Sequence, residues 1–292
     1  MIQRRLTESG KEERRVDRRN TLNELSGKEW IQATASVWYQ RGLGREHPDT
    51  LVERQHPAAF AYKMVERLLL FFTRSGDRVL DPFVGVGSTL KACALTGREG
   101  WGLELSPKWA ELSRKRLQNE AGGGSGQRIV QGDARETLQE LGAETFDFAV
   151  TSPPYWGILN KPADHRVREE RLKNNLETRY SDDPNDLANI PDYALFMGEL
   201  GKVFRECHRI LRRSKYMAVV VADFRHKSRY FAFHSDVSRA MEEAGFVPKG
   251  IIIYVKNAKK LYPYGYPFAF VPNVHHEYIL IFQKDGVNGI DG

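Results

Sequence analysis

The 292-residue chain predicts an α/β domain with a mostly parallel sheet and helices on both faces. Three observations carry that expectation. Seven apolar, strand-like runs recur along the chain, and most are separated by stretches of helical periodicity. Two of them, Phe146–Val150 and Tyr216–Ala222, are almost continuously apolar, as strands buried on both faces are. The last two runs, Lys249–Val255 and Glu277–Phe282, have no helix between them and should form an antiparallel pair.

Taken in order, Ala61–Phe72 reads as a helix with Met64, Leu68 and Leu69 facing the sheet. Asp77–Asp81 reads as a buried strand running into Pro82-Phe83-Val84-Gly85-Val86-Gly87 and a helix beginning near Ser88. Glycine permits positive φ and close approach of a ligand to the backbone, while Ser88 or Thr89 is a candidate cap. A phosphate-binding loop would need lysine where Gly87 stands, and a dinucleotide fingerprint would need glycine at Leu90. The run Gly100–Leu105 ends in Glu104, placed to accept both hydroxyls of a ribose. Arg128–Gln131 leads to Gly132-Asp133, where Asp133 is also a favoured cap for a helix starting at Ala134. Gly122–Gly126 is a flexible connector. Asp192–Leu211 and Asp236–Ala244 carry helical periodicity.

The most specific feature is Thr151-Ser152-Pro153-Pro154-Tyr155-Trp156 at the end of the run Phe146–Val150. Two successive prolines cannot donate ladder hydrogen bonds, so the chain leaves the sheet in a stiff, extended turn. Such a turn offers a hydroxyl and fixed carbonyls as acceptors beside an aromatic face, a setting for an exocyclic amino group.

Ser152-Pro153-Pro154-Tyr155 and the Asp81-Pro82-Phe83-x-Gly85-x-Gly87-Ser88-Thr89 loop together resemble the amino-methyltransferases, which methylate the exocyclic nitrogen of cytosine or adenine in DNA with S-adenosylmethionine. The resemblance covers roughly residues 30–284 and implies a Rossmann-like, seven-stranded methyltransferase sheet. It implies a catalytic role for Ser152, Pro153, Pro154 and Tyr155. Cofactor contacts are implied at His56, Pro57 and Phe60 of the His-Pro-Ala-x-Phe turn, along Asp81, Pro82, Phe83, Gly85, Gly87, Ser88 and Thr89, and at Glu104, Leu105, Asp133 and Ala134. The cofactor loop precedes the Ser-Pro-Pro-Tyr turn, whereas many small members run the other way, so the chain looks like the β-class with its halves exchanged. Serine at the first motif position favours cytosine N4. Adenine N6 in DNA is the alternative, followed by a base in RNA. The base must leave the stack to react.

Formal net charge is +6, which suits a polyanionic partner. Double-stranded DNA is the expected one, with a homodimer and a companion restriction endonuclease as further expected partners. Residues 1–30 form a charged extension in which Arg4, Arg5, Arg14, Arg15, Arg18 and Arg19 face Glu8, Glu12, Glu13 and Asp17. It reads as a solvated arm or exposed helix, with a nucleic-acid arm as the alternative. Residues 31–284 form the catalytic domain and 285–292 a tail. Within the domain, residues 157–190 are too long and polar for an ordinary connection and read as a lid with part of the target recognition. That segment carries Lys161, Arg166 and Arg168; the basic-aromatic loop 256–275 carries Lys259, Lys260, Tyr262 and Tyr264. Trp156 and His276 are expected beside the base.

No metal site is expected, because His275-His276-Glu277 lacks a second set of ligands. Cys93 and Cys207 are far apart, neither follows a proline as the nucleophile of a cytosine-C5 enzyme does, and both fall on helices as packing residues. No apolar run approaches a membrane span or a signal core, so a cytoplasmic location is expected.

Overall fold

A computed structural model describes residues 15–40, 47–56, 60–122, 124–157, 181–226, 229–256 and 261–284. The apolar runs form one sheet of eight strands: β1 (Val37–Tyr39), β2 (Arg78–Asp81), β3 (Glu99–Glu104), β4 (Arg128–Gln131), β5 (Phe146–Thr151), β6 (Leu211–Val221), β9 (Phe246–Val255) and β10 (His276–Lys284). Their order is β1-β9-β10-β6-β5-β2-β3-β4. A separate hairpin pairs β7 (Phe224–His226) with β8 (Arg229–Phe231). β10 runs antiparallel to both β6 and β9, as the missing helix required, and the other pairings in the sheet are parallel.

The sheet has eight strands rather than the expected seven. β1 adds an edge beside β9, anchored by the buried Trp38, whose ring lies under the Arg67 guanidinium at 3.7 Å. Three residues are too few to show a strand period, so the sequence reads only as an approach to the cofactor turn. The hairpin β7–β8 escapes notice for the same reason.

All six residues of β5 are buried, and four of them divide between two cores, the pleat alternating from Phe148 to Val150 and a register shift between Phe146 and Phe148 placing Phe146 with Ala149. Phe146 and Ala149 meet α6 (Ala134–Thr137), α7 (Tyr193–Ile210) and α8 (Phe233–Glu243) on one face; Phe148 and Val150 meet α3 (Tyr62–Phe72) and α4 (Ser88–Thr96) on the other. Met64, Leu68 and Leu69 face the sheet as expected, and Cys93 and Cys207 are buried, one in each core. Burial pushes both thiols well above the ordinary range, which suits packing rather than nucleophilic roles. α1 (Gly27–Ala33), α2 (Pro48–Gln55) and α5 (Pro107–Glu120) complete the described helices.

Because β2 to β6 and β9 run in parallel and β10 begins where β9 ends, their carboxyl-side turns and the β9–β10 loop share one edge of the sheet. Ligands of open α/β sheets bind at that edge.

Candidate active site

The loop at residues 82–87, expected at the cofactor, is held from below by Asp81. This fully buried carboxylate accepts Thr151 Oγ1 at 2.7 Å and the Phe83 N–H at 3.0 Å on one oxygen, and Thr89 Oγ1 at 2.5 Å on the other. Burial raises its pKa to about 6 despite those bonds. Asp81 and Thr89, expected at the cofactor, therefore stand behind the loop and tie it to the start of the Ser-Pro-Pro-Tyr turn. Neither Ser88 nor Thr89 caps α4. Gly87 does, at φ 79°, and a Cβ there would lie 2.2 Å from Ser113 Oγ. The Ser88 hydroxyl instead accepts Arg116 Nη1 at 3.0 Å.

Above the loop lies a cavity of about 840 Å³, counting its open mouth. His56, Phe60, Pro82, Phe83, Gly85, Ser88, Glu104, Leu105, Asp133, Ala134, Ser152, Pro153 and Pro154 line it, so most of the residues expected at the cofactor and three of those expected in catalysis meet in one place. Asp81, Gly87 and Thr89 do not reach it. At its centre one Glu104 oxygen accepts the Gly85 N–H at 2.9 Å and the other the Ser106 N–H at 2.9 Å. Burial, reinforced by the nearby Asp186 and Asp81 charges, raises the Glu104 pKa to about 7. Asp133 takes the capping role, accepting the Arg135 N–H at 2.9 Å while its carboxylate pairs with the Arg135 guanidinium at 2.5 Å.

Several lining residues escape sequence reasoning. Trp109 on α5 meets His56 edge to face at 4.9 Å. Ser181, Asn185, Asp186 and Leu187 close the cavity where the long insertion returns to the sheet. Asp186 is buried, accepts Ala188 N–H at 2.9 Å and Ser181 Oγ at 2.8 Å, and has its pKa raised by burial. The run Asp182-Asp183-Pro184-Asn185-Asp186 carries a turn signal, which marks the bend but not the wall it joins.

The Ser-Pro-Pro-Tyr turn divides at Tyr155. Ser152 Oγ makes no hydrogen bond among the described residues, while the Tyr155 hydroxyl accepts the Ala222 N–H at 2.8 Å and its ring lies against Phe233 at 5.5 Å, outside the cavity lining. Trp156 differs from expectation more. Its indole N–H donates to the Ile190 carbonyl at 2.9 Å and its ring packs against His226, Tyr193 and Phe231, so it serves as a core residue. His276 is likewise off the cavity, 4.9 Å from the Tyr278 ring, and Tyr262 and Tyr264 pair at 5.5 Å on the β9–β10 loop. Pro57, Lys161, Arg166, Arg168, Lys259 and Lys260 lie outside the described residues. Among the described residues no group of three or more His, Cys, Asp or Glu side chains could hold a metal.

A model of the DNA methylase family that modifies N6 or N4 matches residues 3–115 and 146–290. The chain belongs to that family. It is 42% identical over 65 residues to the orphan methyltransferase M.BamHII of Bacillus amyloliquefaciens, covering 22% of this chain and 24% of that one. It is 35% identical over 97 residues to the type II methyltransferase M.BglI of Bacillus subtilis, covering 33% and 26%. A tRNA (guanine(10)-N2)-dimethyltransferase of Pyrococcus abyssi is 28% identical over 162 residues, covering 52% and 48%. The chain thus spans about a quarter of the length of the first two relatives and about half of the third. S-adenosylmethionine, the family's cofactor, fits this cavity. The Glu104 carboxylate can accept ribose hydroxyls, and among the described residues the lining holds the acids Glu104, Asp133 and Asp186 and no lysine or arginine, which suits a ligand that carries positive charge.

Proposed function

We propose that this protein methylates the exocyclic N4 of cytosine in double-stranded DNA, acting on a base extruded from the helix. The observation that carries the reading is the junction of Ser152, Pro153 and Pro154 with the wall of the Glu104 cavity: the acceptors for an amino group and the cofactor site share one space. When bound there, S-adenosylmethionine supplies an electrophilic methyl group. The residues of the turn do the rest. An amino nitrogen conjugated with its ring is a poor nucleophile. In this reading Ser152 Oγ and the Pro153 carbonyl accept its hydrogens and aim the lone pair, and the base stacks at the edge of the cavity on Tyr155, whose hydroxyl is held by the Ala222 N–H and whose ring rests on Phe233. Orientation and exclusion of water supply much of the acceleration. A cation beside an aromatic face adds about 1–2 kcal/mol.

Serine at position 152 supports cytosine over adenine, because family members acting on adenine more often place an acid or amide there. The likeness to a tRNA guanine-N2 methyltransferase over half of the chain favours RNA as the second reading. Incubation with methyl-labelled cofactor and mixed-sequence duplex DNA, digestion to nucleosides and mass spectrometry decides among them. Label in N4-methylcytosine is expected, lost in Ser152→Ala. Label in N6-methyladenine overturns the serine argument, and label confined to RNA moves the enzyme to the second reading.

A further inference from the structure

Three aromatic side chains on the loop from β9 to β10 stand almost fully in solvent: Tyr266 at 82%, Phe268 at 93% and Phe270 at 86% exposed. Phenylalanine has no polar group to justify that exposure. The backbone beneath them is tied in place. Tyr262 N–H donates to Asn273 Oδ1 at 2.9 Å and Asn273 Nδ2 returns a bond to the Tyr262 carbonyl at 2.8 Å, closing the loop at its neck. The Phe268 and Ala269 N–H groups both donate to the Gly265 carbonyl at 2.7 Å. Gly265 sits at φ 75°, and a Cβ there would lie 2.2 Å from the Ala269 carbonyl oxygen, so the tip is turned by a residue that only glycine can supply. A loop held this way presents its rings without a large ordering cost at the moment of binding.

The neck of this loop is close to the catalytic turn in the sheet. β10 begins at His276, and Tyr278 lies opposite Val221, one residue before the Ala222 whose N–H holds the Tyr155 hydroxyl. The rings therefore rise from the same edge as Ser152 and the cofactor cavity. Their alternation at 266, 268 and 270 on a short tip makes a set of separate blades. A stable protein interface needs about 800 Å² on each partner, more than such a tip offers, whereas the gap between two base pairs accepts one flat apolar ring. A net charge of +6 complements a phosphate backbone on either side of such a gap.

We propose that Phe268 and Phe270 form a wedge that enters the duplex beside the target and fills the space left by the extruded base, holding it out for Ser152 and Tyr155. The proposal rests on the DNA reading above and specifies how the duplex is opened. The test uses the full chain, wild type and a Phe268→Ala/Phe270→Ala variant, on the target duplex found by sequencing wild-type product. Single-turnover methylation is measured on the paired duplex and on one mismatched at the target base, where extrusion is already easy. The variant should lose about 10- to 100-fold on paired DNA, recover to within about threefold of wild type on mismatched DNA, and keep its unfolding midpoint and cofactor affinity. Phe268→Trp should retain activity on both. Equal loss on both duplexes overturns the wedge in favour of a plain contact surface. Full activity on paired DNA overturns it too, and a dimer lost in the variant's sedimentation would then assign the tip to a second copy. Failure of the DNA reading is separate, since wild type would then label no duplex at all.

Discussion

At Glu104 the chain sets a half-buried carboxyl group among backbone N–H groups; at Phe268 it exposes an apolar ring to water. Both positions lie on the same edge of the sheet, yet each inverts the usual rule that charge goes out and hydrocarbon in. The cavity takes a small ligand whole, so its polar groups must be fixed before binding, and the surrounding protein supplies the rigidity. The loop, on the reading proposed above, is there to meet a ligand much larger than itself, so it protrudes, tied at its neck by Tyr262 and Asn273 and turned at its tip on the Gly265 carbonyl. Rigid reception and presented contact are the two solutions on one edge, and each can be tested by what a substitution costs.

The largest cost is expected where the cavity wall is clamped. Arg116, 1% exposed at its side chain, donates to the Val86 carbonyl and Ser88 Oγ of the cofactor loop and also pairs with Asp49 and Glu53 of α2 and Glu120 of α5. Lys91 shares Asp49 and Glu120. Asp49 is buried, so among the described side chains of this helix, which leads into His56, a charged group makes the deepest anchor. Arg116→Met should lower unfolding free energy by about 3–5 kcal/mol, since it leaves Glu53 without its cation and Asp49 and Glu120 with Lys91 alone. Urea denaturation measures it, and a loss below about 1 kcal/mol would mean that the clamp is only a surface pair.

Glu104→Gln is the next step down. The amide keeps the shape but loses the charged acceptor, so affinity for S-adenosylmethionine should fall about 10- to 100-fold in titration calorimetry. With the Glu104 pKa at about 7, wild-type affinity should rise with pH through that value as the carboxylate forms, and the Gln variant should be flat. The ligand-free protein follows the opposite sign. Its native state keeps the proton where the unfolded chain has lost it. The stability contributed by Glu104 is therefore complete below the ordinary glutamate range and is lost as pH rises through about 7. Asp81, raised to about 6, adds a loss of the same sign over a slightly lower window. Affinity and stability that move together with pH would contradict the assignment.

Sequence reasoning reaches the cavity better than the protruding edge, for a physical reason. Val79-Leu80-Asp81, the positive-φ glycines, the acid ending β3 and the acid just after β4 answer to local rules: a buried strand, a turn that only glycine makes, a carboxylate where a strand stops. Side-chain hydroxyls follow tertiary partners, so Ser88 and Thr89 turn to Arg116 and Asp81 instead of capping α4. Trp156 looks like a stacking residue until α7 and the β7–β8 hairpin enclose it. Asp186 enters the wall through the return of a long insertion, a contact without a local pattern. On the β9–β10 loop the lysine and tyrosine pattern draws attention to Tyr262 and Tyr264, which pair with each other, while the two most exposed phenylalanines lie further along.

The smallest effect on stability should come from that loop, and its smallness is informative. Tyr266 is 82% exposed, and its removal takes nothing from the core. Tyr266→Ser should leave the unfolding free energy within about 0.5 kcal/mol of wild type and the cofactor affinity unchanged. Binding to duplex DNA should weaken by about 5- to 100-fold, as the loss of one stacking ring does. A thermal melt run beside a DNA-binding isotherm separates the two. A destabilisation above about 1 kcal/mol would show that the ring is packed rather than presented. The loop would then belong with the cavity wall as part of the rigid frame, and the contrast between the two halves of the edge would collapse.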